Sequence, residues 1–231
     1  MNDYQIFVLA GPTAVGKGTV VRELRERFPN LVVSISATTR APRPGERDGV
    51  DYFFVTESQF DSLIESDGLL EWAVVHGKNR YGTPRQWVLE QAALGNVILL
   101  EIDLDGARQV RRSLPEAKFI FLAPPSWEEL ERRLAGRGTE SAQDQLRRLE
   151  TARQELDAAD EFDVTVINDD LETAVQSLAQ HLSLVLAIGA HHLSPQECGW
   201  SRYEREHEQM SGIVAPRQGR AGRGGGWGGA G

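Results

Sequence analysis

The segment Gln5-Ile6-Phe7-Val8-Leu9-Ala10-Gly11-Pro12-Thr13-Ala14-Val15-Gly16-Lys17-Gly18-Thr19 decides how the rest of the chain is read. A short apolar strand runs into a loop bounded by Gly11 and Gly16, and a helical pattern over Thr19–Phe28 follows at once. Strand, glycine-bounded loop and helix in that order are what a phosphate-binding loop requires. The two glycines permit backbone angles that bring successive N–H groups round a polyphosphate. The helix N-terminus adds partial positive charge, and Lys17 reaches the outer phosphates. A strand-to-helix turn that binds nothing would need no lysine at this position. Gly18 stands where Ser or Thr commonly follows the lysine, so Thr19 is the nearest hydroxyl for a magnesium ion.

Outward from this loop, apolar runs alternate with helical patterns, which predicts an α/β chain with a parallel sheet and crossover helices. Strands are expected near Gln5–Ala10, Leu31–Ser36, Val97–Ile102, Lys118–Leu122 and Val164–Ile167. Helices are expected at Thr19–Phe28, Asp105–Leu114, Trp127–Ala135, Ala142–Ala159 and Leu171–Ile188. Ser126 and Glu129 read as a capping box before Trp127. Between Ser36 and Gly95 the pattern changes. Tyr52–Val55 and Leu69–Val75 read as strands, and a helix between them puts Phe60, Leu63 and Ile64 on one face. That stretch reads as a smaller, sheet-rich insertion, and Gly136–Ala142, lying between two helices, reads as a movable lid.

The 231 residues suffice for one α/β domain with insertions, and 40% apolar with 26% charged residues is ordinary for a soluble protein. The single cysteine, Cys198, excludes an internal disulfide framework and a cysteine-based zinc site. No run approaches the roughly 20 apolar residues of a membrane span, and the N-terminus lacks a signal-peptide pattern, so a cytoplasmic protein is expected. A net charge of −9 argues against general nucleic-acid binding. Gly212–Gly231 holds nine glycines and is expected to be disordered. Its Arg217, Arg220 and Arg223 interleave with glycine as in some nucleic-acid-binding tails, the less favoured reading beside a plain extension.

A second dense signal is Ser36-Ala37-Thr38-Thr39-Arg40-Ala41-Pro42-Arg43-Pro44-Gly45-Glu46. Arg40 and Arg43 bracket a proline-stiffened turn, so both guanidinium groups can converge on one anion, with Tyr52 adding a hydroxyl. In Leu70-Glu71-Trp72-Ala73 one carboxylate stands inside an apolar strand, which is costly without a partner. A guanine edge, with adjacent N1–H and N2–H₂ donors, is a partner of the right shape. Tyr81 is read either as packing or as a second phosphate donor. Thr83 before Pro84 also suits a helix N-cap. His76 reads as an ordinary loop histidine. Glu101 and Asp103, two apart in one strand, share a face at its carboxyl end, where α/β sheets bind ligands. They are suited either to magnesium through water or to a base amine.

With these features in this order the chain resembles guanylate kinases over roughly Gln5 to Leu186. The resemblance implies a phosphate-loop nucleoside-monophosphate-kinase-like fold, with a GMP-binding insertion and a helical lid closing over ATP. It implies transfer of the ATP γ-phosphate to GMP, and to dGMP, with magnesium, in purine nucleotide metabolism and GMP recycling. The implied divisions are a domain at 1–189 (core 1–35 and 97–189, insertion 36–96, lid about 136–148) and a tail at 190–231. The implied ATP site is Gly11, Pro12, Thr13, Ala14, Val15, Gly16, Lys17, Gly18 and Thr19, with Asn168 near the adenine. GMP phosphate falls to Arg40, Arg43, Tyr52 and Tyr81, and guanine to Ser36, Glu71, Thr83 and Glu101, with Asp103 as the second acid of that strand. Lys17, Arg133, Arg137 and Arg148 gather round the transferring phosphate.

The chain departs from the family pattern in three ways. Ala14 replaces a glycine of the loop, and Gly77-Lys78-Asn79-Arg80-Tyr81-Gly82 has one extra residue and Arg80 for a tyrosine. The segment after Gly189 has no counterpart. The rival readings are a silent guanylate-kinase-like interaction module, which would dispense with Lys17, Arg137 and Arg148, and a kinase of a phosphorylated sugar, which would dispense with the base-reading residues. Composition leaves the oligomeric state open.

Overall fold

The structure is a computed structural model and describes residues 5–75, 77–135 and 142–184. In chain order its elements are β1 (Ile6–Ala10), α1 (Lys17–Arg27), β2 (Leu31–Val33), β3 (Ala37–Thr38), β4 (Phe53–Phe54), α2 (Glu57–Glu65), β5 (Leu69–Val75) and β6 (Asn79–Pro84). Then follow α3 (Arg85–Ala93), β7 (Val97–Glu101), α4 (Leu104–Ser113), β8 (Lys118–Ala123), α5 (Trp127–Ala135), α6 (Ala142–Asp157), β9 (Val164–Ile167) and α7 (Leu171–His181).

β1 is buried at every position, which is why its sequence is apolar without alternation. It pairs in parallel with β7 on one side and β8 on the other, inside a five-stranded parallel sheet of order β2-β7-β1-β8-β9. Phe7 and Leu9 meet Val20, Val21 and Leu24 of α1 and Val175 and Leu178 of α7, while Ile6, Val8 and Ala10 are buried toward the opposite face. The chain leaves β1 toward β2 and leaves β7 toward β8, in opposite directions along the sheet. That reversal opens a crevice at the carboxyl ends of β1 and β7, the place where open α/β sheets bind ligands.

Between β2 and α3 the chain builds a second, four-stranded sheet of order β4-β3-β6-β5. The β5–β6 hairpin turns at Gly77-Lys78 and pairs Trp72 with Gly82 and Ala73 with Tyr81. α2 buries Phe60 and Leu63 with Ile64 half-buried, on the face its spacing predicts. Thr56 and Gln59 form a reciprocal capping box at its start, unlike Ser126. Ser126 Oγ accepts the Glu129 N–H at 3.2 Å, but the Glu129 carboxylate is drawn to Arg132 and Arg133.

Several expected boundaries move. β2 stops at Val33, because beyond it the chain crosses to the second sheet, where Ser36 O accepts from Phe53 N at 2.9 Å. The stretch from Asn79 to Pro84, outside the strands expected from the sequence, is strand, since β5 supplies an antiparallel partner. Consequently Thr83 does not cap α3; Pro84 holds that position without a side-chain cap. Asp103 is not on the strand with Glu101. It is the N-cap of α4, its Oδ1 accepting from Gly106 N at 2.7 Å. α1 starts at Lys17 rather than Thr19, and α6 ends at Asp157. His76, Arg137 and residues 136–141 and 185–231, with the first part of the expected lid and the whole expected tail, lie outside the described residues.

Candidate active site

The loop from Gly11 to Gly16 joins β1 to α1 at the crevice. A side chain at Gly11 (φ +151°) would place its Cβ 2.2 Å from Leu122 O, and one at Gly16 (φ +99°) would meet Asn168 Nδ2 at 2.7 Å. Both positions therefore demand glycine. Ala14 adopts φ +67°, a left-handed conformation that costs a non-glycine residue roughly 1 kcal/mol. Its methyl is held in the apolar cluster of Leu130, Leu134 and Ala152, which gives the substitution for glycine a compensating contact.

Lys17 Nζ curls back to donate to Gly11 O and, at 3.5 Å, to Pro12 O. Burial pulls its ammonium below the ordinary value, against the opposing charges of Glu155, Glu101 and Asp103. Gly18 and Thr19 occupy the exposed first turn of α1. On the carbonyl side of the loop, Val15 O accepts from Asn168 Nδ2 at 2.8 Å and from Arg133 Nη1 at 3.2 Å. The remaining Arg133 nitrogens reach Asn168 O and Glu129 Oε1. Arg133 thus stands bonded to the loop backbone and to α5. Arg148 is half-buried on α6.

Arg40, Tyr52 and Tyr81 come together in the second sheet. Arg40 Nε donates to Tyr81 Oη at 3.1 Å, its guanidinium lies 5.3 Å from the centre of the Tyr52 ring, and the two tyrosine rings meet edge to face at 5.9 Å. Glu46 grips the far end of the same guanidinium, Oε1 and Oε2 accepting from Nη2 and Nη1 at 2.9 and 3.0 Å. Glu46 also accepts the Arg43 N–H at 2.7 Å, and the Arg43 side chain is exposed beside it. The hydrogen bonds from Arg40 hold the Glu46 carboxyl below its usual range. Arg80, next to Tyr81, faces the other way: its guanidinium covers the Phe60 ring at 4.8 Å and pairs with Glu57 and Asp61 of α2.

Glu71 is buried, and Thr83 Oγ1 donates to its Oε1 at 2.6 Å. Burial, reinforced by the charge of Asp103 and opposed by the Thr83 hydrogen bond, pushes the Glu71 carboxyl up to about 7. The strand around it is fixed to α4. Ser113 Oγ donates to Leu70 O at 2.7 Å, and the Gln109 amide exchanges two hydrogen bonds with the Trp72 backbone, at 3.1 and 3.0 Å. Glu101 closes β7 beside Leu9 and near Gly18, its carboxyl raised by burial and drawn down by Lys17. Ser36 is half-buried between β2 and β3.

Sequence reasoning missed Glu46, Gln109 and Glu155. Glu46 ends the arginine segment, so its nearness was available as a signal. Gln109 and Glu155 have partners 37 and 142 residues away and carry none. Among the described residues, no group of three or more His, Cys, Asp and Glu side chains is placed to hold a metal ion, and no helix is long and apolar enough to cross a membrane.

Fold and site together define a phosphate-loop α/β protein with a second, four-stranded sheet that carries an arginine–tyrosine cluster. The guanylate kinase family model matches residues 3–184. A guanylate kinase of Cutibacterium acnes is 59% identical over 179 residues, covering 78% of this chain and 90% of that protein. One of Thermobifida fusca is 57% identical over 183 residues, covering 79% and 91%. The crystal structure of guanylate kinase from Anaplasma phagocytophilum superposes with a TM-score of 0.59 at 30% identity, over 93% of this chain and 98% of that one. The chain belongs to the guanylate kinase family, whose members are ATP:GMP phosphotransferases.

Proposed function

We propose that the chain transfers the γ-phosphate of ATP to GMP, giving ADP and GDP, and that its residues divide the work as follows. The backbone N–H groups of the Gly11–Gly16 loop and the start of α1 hold the ATP phosphates, and Lys17 turns from Gly11 O to the outer ones. Arg133 and Asn168 brace the loop through Val15 O, Asn168 serving the adenine end and Arg133 the transferring phosphate. Arg40, Arg43, Tyr52 and Tyr81 hold the GMP phosphate. The bond from Arg40 Nε leaves the Tyr81 hydroxyl hydrogen available to that phosphate. Glu71 accepts the guanine N1–H and N2–H₂, with Thr83, Ser36 and Glu101 around the base.

The acceptor oxygen of GMP is already anionic, so no general base is required; alignment and charge neutralisation carry the reaction. Arg137 and Arg148 neutralise charge on the moving phosphoryl group when the lid closes and excludes water. Magnesium fits as a nucleotide-borne ion: Glu101 and Asp103 stand near Lys17, within reach of a hydrated cation, and Thr19 offers a hydroxyl. When bound it neutralises charge on the outer phosphates. The same reading extends to dGMP, to GMP recycling in purine metabolism and to a cytoplasmic location.

One observation carries this reading: a buried carboxylate held by the Thr83 hydroxyl, set in the sheet that holds the arginine–tyrosine cluster. A pocket for a sugar phosphate would have no use for it. A coupled ADP-release assay across GMP, AMP, CMP and UMP tests the proposal. GMP alone should give rapid turnover, and equal rates with another monophosphate would refute it.

A further inference from the structure

Thr13 N donates to Glu155 Oε2 at 3.1 Å, linking the phosphate loop to a helix residue 142 positions later. Val15 N is likewise engaged within the loop, by Pro12 O at 3.2 Å. Among the described residues, the N–H groups of Ala14, Gly16, Lys17 and Gly18 have no acceptor in the protein. The loop therefore has two kinds of amide: those tied to the protein, and a set open to an anion. Glu155 occupies one of the first kind, so it does not compete for the second.

The next residue is bound to the same helix. Ala14, at φ +67°, lies against a cluster that includes Leu149, Ala152 and Leu156 of α6, six and three residues before Glu155 and one after it. A strained backbone residue persists only where its surroundings over-determine it, and here a hydrogen bond and an apolar contact act on consecutive residues. Glu155 also feels the charge of Lys17.

From this geometry we infer that Glu155 is a positioning residue for the donor nucleotide: by holding the Thr13 N–H it keeps the open amides of the loop converged on the ATP phosphates. The inference rests on the reading of this loop as the ATP site. It assigns the work to the hydrogen bond at Thr13 rather than to the negative charge near Lys17.

Two nearly isosteric variants separate those roles. Glu155→Gln keeps an oxygen at the same reach and removes the charge, whereas Glu155→Asp keeps the charge and withdraws it by one methylene. Calorimetric titration with ATP and separate KM values for ATP and GMP should show about tenfold weaker ATP binding in Glu155→Asp. KM for GMP should stay within about twofold, and Glu155→Gln should stay within about threefold of wild type. Equal loss in both variants, an unchanged ATP affinity in Glu155→Asp, or parallel changes in both KM values would overturn the inference. Wild-type protein that bound no ATP would instead overturn the reading of the loop itself.

Discussion

Thr83 and Glu71 face each other across the β5–β6 pair, the hydroxyl of one donating to a carboxylate oxygen of the other at 2.6 Å inside the fold. That bond fixes one oxygen of a buried carboxylate in place, which is how an enzyme orients an acceptor for a ligand with two donors. Burial sets the protonation behaviour of the site, pushing the carboxyl up to about 7 against the downward pull of the Thr83 bond.

If Glu71 reads the guanine edge as proposed, only its ionised form accepts GMP, since a protonated carboxyl sets an O–H against a guanine N–H. Lowering the pH from 8 to 6 should therefore reduce kcat/KM for GMP by about tenfold through this group, with KM for ATP nearly flat. Thr83→Val removes the hydrogen bond that holds the carboxyl down and should move the inflection upward. In stability the sign is reversed. The folded state binds this proton more tightly than the unfolded chain, so the contribution is complete below about 4.5 and lost as pH rises through about 7. A pH–rate profile without an inflection that depends on Glu71 would contradict this.

Lys17→Ala should lower turnover by about a hundredfold or more, on the order of 3 kcal/mol of transition-state stabilisation. The affinity for GMP should hardly change, because the arginine–tyrosine cluster belongs to the other sheet. Retention of more than half the activity would remove the lysine from the phosphate site.

Arg80→Ala should lower the melting midpoint by a few degrees while leaving KM for GMP within about twofold, since its cation–π and ion-pair partners all lie on α2. A large rise in KM at unchanged stability would mean that Arg80 serves the phosphate cluster after all.

What could be read from the sequence follows the range of the interactions. The phosphate loop is local: apolar strand, bounding glycines and lysine lie within 12 residues, and their physical demands are visible in the residue types. The β5–β6 hairpin was half hidden, because Asn79-Arg80-Tyr81-Gly82 looks like a turn until β5 supplies its hydrogen-bond partners. Asp103 was misplaced on the strand because the period of two was carried past Glu101, where an N-cap acid begins a helix. The buried Glu71 was legible as a costly charge. The Gln109 amide that holds its strand was not, since nothing near Gln109 marks a partner 37 residues back.

The most direct test is the GMP-to-AMP ratio of kcat/KM in Glu71→Gln, measured beside its melting midpoint. An amide in place of the carboxylate offers a single acceptor and sets an N–H against a guanine donor, while adenine presents an unprotonated N1 that this N–H can meet. In a well-folded variant, kcat/KM for GMP should fall by about two orders of magnitude and the ratio should shrink. An unchanged ratio with an unchanged midpoint would take Glu71 out of base recognition, and with it the reason for reading this pocket as a guanine site.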